Sequence, residues 1–144
     1  MHASPVLFVF TLLALLTGCS TTYTAEDLDG TWVGNDHTIN SRGKSLTRKE
    51  LKLDVDDDGL ISGTTTWTLV SGKGGHDGNA PARSDSETIF GAFDANAGTF
   101  FLVETEENGF WRGRFDGRDA IRCFLVQPGE KPVAAFVVLE RKSP

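Results

Sequence analysis

Lys49-Glu50-Leu51-Lys52-Leu53-Asp54-Val55-Asp56, then Asp57-Asp58-Gly59, then Leu60-Ile61-Ser62-Gly63-Thr64-Thr65-Thr66-Trp67-Thr68-Leu69-Val70, is the stretch that decides the fold. Leu51, Leu53 and Val55 alternate with Lys52, Asp54 and Asp56. A period of two places apolar side chains on one face of a half-buried strand. Asp-Asp-Gly is hairpin-turn chemistry, and the run beyond it is rich in β-branched residues. The two segments therefore read as an antiparallel hairpin.

Outward from this hairpin the pattern recurs. Strands are expected at 30–37, 49–56, 60–70, 87–94, 99–106, 110–116, 120–126 and 133–141. Asn96-Ala97-Gly98, Glu107-Asn108-Gly109, Asp116-Gly117 and Pro128-Gly129 separate later strands with turn residues. No window sustains a helical period. Sequential strands joined by short turns predict an all-β fold, an eight-stranded antiparallel up-and-down β-barrel with no free edge. Two longer connections are expected at one end, over 38–48 and 71–85. The second holds Gly72, Gly74, Gly75 and Gly78 and specifies no regular structure. That end is the expected mouth.

Upstream, an apolar run from Val6 to Leu16 ends in Leu16-Thr17-Gly18-Cys19. The run suits the core of a secretory signal and is too short to span a bilayer as a helix. It resembles the lipobox of bacterial lipoproteins. The resemblance implies lipidation of Cys19 after removal of 1–18, a tether over 19–28 and a barrel domain over 29–142. Ser20 after the cysteine implies the outer membrane, with the domain facing the periplasm. The protein would then meet the membrane through its lipid anchor. With Cys19 lipidated, Cys123 has no disulfide partner, and its strand-like run Ile121-Arg122-Cys123-Phe124-Leu125 points to a buried, inert thiol. His37, where the first expected strand meets the 38–48 connection, and His76, in the 71–85 connection, are expected at loops away from it.

Composition narrows the function. The formal net charge is −6 and no Lys/Arg stripe occurs, so nucleic acid is not an expected partner. Asp54 to Gly59 matches the opening of a calcium-binding EF-hand loop, but its twelfth position is Thr65, where a bidentate Glu is required. An acidic turn is the better reading, and no metal or cofactor is expected. Gly72-Lys73-Gly74-Gly75 lacks the spacing of a phosphate loop. Glu104, Glu106 and Glu107 fall on an expected exposed hairpin as solvated charges. No catalytic residues, and no enzyme, are expected.

Gly30-Thr31-Trp32, Leu60-Ile61-Ser62-Gly63-Thr64 and Trp111-Arg112-Gly113 resemble the first, third and sixth strand motifs of the avidin family. Lipocalin-like barrels also open with Gly-x-Trp. The avidin resemblance implies an eight-stranded barrel with a pocket at its mouth. Its biotin-contacting positions fall on Gly34, Thr65 and Trp67, and 133–139 holds no Asp. Only the pocket tryptophan is matched, by Trp111, so the resemblance does not imply biotin binding.

Alternation turns Ile61, Gly63, Thr65, Trp67 and Leu69 inward, together with Trp111, Gly113 and Phe115. Thr65, Trp67 and Trp111 are the expected ligand residues of an apolar cup, unless these aromatics simply fill the barrel. The last two strands are apolar on both faces, which marks Phe124, Phe136 and Val138 as an interface, with a homo-oligomer as one outcome. The expected function is a non-enzymatic, lipid-anchored envelope protein binding a small apolar or amphipathic ligand. The alternative is an interaction or inhibitor lipoprotein working through its last strands.

Overall fold

The structure, a computed structural model, describes residues 22–77 and 80–143, and the backbone alone at 76, 77, 80 and 81. Cys19 and the signal segment 1–18 lie outside the described residues. In chain order the elements are α1 (Ala25–Leu28), β1 (Gly30–Asn40), β2 (Gly43–Val55), β3 (Leu60–Gly72), β4 (Gly75–Asp77), β5 (Ala80–Ala82), β6 (Ser84–Asp94), β7 (Thr99–Glu104), β8 (Phe110–Phe115), β9 (Ala120–Gln127) and β10 (Val133–Arg141).

Eight strands close in the order β1-β10-β9-β8-β7-β6-β3-β2, every pair antiparallel. The barrel expected from the alternation is the fold. At the seam between β1 and β10 the Asp36 carboxylate accepts the Val138 N–H at 2.9 Å.

Two connections differ from expectation. The segment 38–48 is not a loop. β1 and β2 pair without interruption from Gly30↔Leu53 to Asn40↔Gly43, so His37 lies on a strand. Nor is 71–85 without structure, because β4, which includes His76, pairs there with β5 as a small separate ribbon. This ribbon is a flap over the mouth. Ser45 Oγ accepts the backbone N–H groups of Lys73 and Gly74 at 3.1 and 3.0 Å, and Asn40 Nδ2 donates to the Gly74 carbonyl at 2.9 Å.

The opposite end is plugged. Residues 23–28, expected in the tether, pack against the barrel instead. Thr24 and Asp27 form a capping box that starts α1, and Leu28 is fully buried. Trp32 Nε1 donates to the Leu28 carbonyl at 2.9 Å. Tyr23 stacks on Phe115 with ring centroids 4.1 Å apart, and the Arg141 guanidinium lies 4.2 Å from the Trp32 ring. Above this plug sits the core, including Leu51, Leu53, Ile89, Phe100, Trp111 and Val137.

Candidate ligand-binding mouth

Along each strand the inward-facing side chains change character towards the mouth. On β2 they run Val55, Leu53 and Leu51, then Lys49, Thr47 and Ser45. On β3 Ile61 gives way to Thr65, on β6 Ile89 to Glu87, and on β9 Ile121, Cys123 and Leu125 to Gln127. On β1 Trp32 gives way to Thr38, and on β7 Phe100 and Leu102 to Glu104. One half of the interior is an apolar core and the other is polar.

Lys49 is the most costly member, at 3% exposure. Its Nζ donates to Thr38 Oγ1 at 2.7 Å and to Thr47 Oγ1, and Thr47 Oγ1 donates to the Asp36 carbonyl at 3.3 Å. Burial pulls the ammonium pKa down to about 8, against the opposing pull of the Asp36 charge.

Carboxylates gather across the cavity. Glu87, 9% exposed, accepts the N–H groups of Glu106 and Glu107 on one oxygen, each at 3.1 Å. Glu107 accepts from Gln127 Nε2 at 3.1 Å and pairs with Lys131 at 3.0 Å. Glu104 accepts the Trp111 Nε1–H at 2.9 Å. Burial raises its pKa to about 7; the Trp111 bond works against this, and the charges of Glu87, Glu107 and Asp85 add to it.

The solvated triad expected at Glu104, Glu106 and Glu107 is therefore corrected. Glu104 faces inward because it continues the phase of Phe100 and Leu102, and Glu107 turns its carboxylate into the mouth. Only Glu106 points to solvent.

These side chains enclose a cavity of about 60 Å³, room for a few water molecules or one small polar group. Thr65 and Trp67 line it. Trp111 lies beneath and reaches the cavity through Glu104. Trp67 also carries the flap, since a Cβ placed on Gly75 would stand 2.8 Å from the indole. The walls are more polar than the apolar cup expected from the aromatics alone. Lys49, Glu87 and Gln127 were missed by sequence reasoning and Glu104 was placed in solvent, although strand phase alone places each of them inward.

The expected interface residues lie on the outer wall. Phe124 and Phe136 are exposed ladder partners with ring centroids 5.1 Å apart, and Val138 is half-buried beside them. Cys123 is buried, and burial pushes its thiol up to about 12.

No protein-family model matches the chain, and no curated protein matches its sequence. Among solved structures it is similar to EF1p2_mFAP2b bound to DFHBI, at 12% identity and TM-score 0.53, covering 83% of this chain and 97% of that one. It is also similar to the redesigned barrel mFAP1 bound to DFHBI, at 15% identity and TM-score 0.51, covering 83% and 100%. A third is a de novo designed fluorescence-activating β-barrel, at 12% identity and TM-score 0.50, covering 82% and 96%. At these identities the likeness is one of fold.

Proposed function

We propose that this protein is a lipid-anchored, non-enzymatic binding module of the bacterial envelope, and that its mouth takes the polar head of a small amphipathic molecule. One observation carries the reading: the mouth half of the interior is lined by Thr38, Thr47, Lys49, Thr65, Glu87 and Gln127, all buried. Burying ionisable groups costs free energy that an apolar filling would not. A fold that needed only stability would continue the core, as it does below Leu51. Hydrogen-bonding groups converging on a cavity fix the orientation of a ligand. Trp67, Leu125 and Val133 at its margin offer apolar surface for the remainder of the molecule. Two solved structures of similar fold are bound to a small molecule, DFHBI, which agrees with the reading.

A second reading has its own observation. Phe90, Phe101, Phe110, Phe124 and Phe136 are all about half exposed on the outer wall. Register joins Phe124 to Phe136 and Val126 to Phe110 across neighbouring strands. A groove of about 410 Å³ runs past Ile39, Phe124, Val126 and Phe136. Contiguous apolar surface of this kind marks an interaction face, with a second copy as one partner.

Two substitutions separate the readings. Trp67→Ala is expected to abolish small-molecule retention and leave self-association or partner capture unchanged. Phe136→Glu is expected to do the reverse, with circular dichroism confirming an intact barrel in both. Retention lost in Phe136→Glu and kept in Trp67→Ala would reject the mouth as the site.

A further inference from the structure

From the rim of the mouth we infer a divalent-cation site, most suited to Ca²⁺, formed by Asp85, Glu87 and Glu107 with the Thr65 hydroxyl. One oxygen from each carboxylate lies within 4.8 Å of the other two. Oxygen ligands of one Ca²⁺ ion, each at about 2.3–2.6 Å from the metal, can stand up to about 5 Å apart, so this spacing lets the three share one ion. The three side chains come from β6 and the turn after β7, so the ladder and the turn hold them together. The two amides donating to Glu87 lie in that turn.

Carboxylates alone would not make a site. The independent observation is Thr65, which is 5% exposed, lines the cavity and is the ladder partner of Glu87. Its hydroxyl has no hydrogen-bond partner among the described residues, and neither has Glu87 Oε1. Both atoms keep their access to the cavity rather than being sealed in the protein, so an ion could take them without breaking a hydrogen bond within the protein.

Charge agrees. Asp85, Glu87, Glu104 and Glu107 face the cavity against Lys49, already held by two threonines, and Lys131, which pairs with Glu107. Among the described residues the donors around the cluster are carboxylate and hydroxyl oxygens, which suit a hard cation. Ca²⁺ accepts an irregular oxygen set with waters completing its shell, whereas Mg²⁺ demands a tighter octahedron. The ion must compete with Lys131 for Glu107, so the affinity belongs with the weak extracellular class, near 10⁻⁴–10⁻³ M.

The site lies on the same cavity as the proposed organic ligand but does not rest on it. The test is terbium luminescence excited through tryptophan on the purified protein, since Trp67 lines the cavity. Sensitised emission that Ca²⁺ displaces is expected. Asp85→Asn and Glu87→Gln should each weaken binding by about tenfold or more, and Thr65→Val by less. Asp85 is exposed, so its variant should fold even if the Glu87 variant does not. Asp57→Asn, in the acidic turn between β2 and β3, should change nothing. Absent emission, emission lost with Asp57 rather than Asp85, or displacement by methylammonium but not by Ca²⁺ would each overturn the inference. A retained organic mass with no terbium response overturns the cation site alone.

Discussion

Lys49 sets the stability of the fold against the proposed binding role of the mouth. Its amine has a folded-state pKa near 8 against an ordinary value of 10.5, because burial penalises the charged form. Between those values the unfolded chain binds more protons than the folded one, so stability contributed at this residue rises with pH across about 8 to 10.5. Below pH 8 the buried ammonium costs the fold a few kcal/mol, at about 1.4 kcal/mol per pKa unit. Lys49→Met is therefore expected to raise stability at pH 7 and to flatten the rise above pH 8. Urea unfolding of both proteins at pH 7, 9 and 10 measures this, and parallel pH profiles would refute it. Lys49, Glu87 and Glu104 were hard to read in the sequence because a charge on a strand is ordinarily placed in water. Their phase relative to Leu51, Ile89 and Leu102 points the other way, and phase is the better guide.

Among the elements, the well-read and poorly read strands differ for one reason. β7 to β10 carry inward apolar side chains along most of their length, and alternation finds them. β1 and β2 extend to Asn40 and Gly43. Their mouth-end inner positions are Thr38, Ser45, Thr47 and Lys49, which erase the apolar period and look like loop. The same polar positions line the cavity, so the pattern fails where the proposed site lies. α1 was illegible for a different cause, since four residues cannot show a helical period. Its worth is tertiary. Leu28 is fully buried and its carbonyl holds the Trp32 indole. Leu28→Ala should cost about 2–5 kcal/mol through the cavity it leaves. Urea unfolding followed by tryptophan fluorescence measures the loss, and a loss well under 1 kcal/mol would mean that the plug is dispensable.

At the scale of the whole molecule, the plug would set orientation under the proposed lipid anchoring. With residues 23–28 docked on the closed end, a lipid on Cys19 would be four residues from the plug, at most roughly 14 Å at 3.3–3.6 Å per residue. The closed end would then sit on the membrane surface with the mouth turned away from it, open to soluble ligands. The aromatic wall stands between the two ends, where it could meet a partner without blocking the cavity. The central claim is that this mouth holds a small molecule, and native mass spectrometry of the protein purified from a bacterial envelope tests it most directly. The account predicts one small-molecule mass retained per chain and lost in Trp67→Ala. Bare chain mass in the unaltered protein, or the same mass retained in Trp67→Ala, would contradict it.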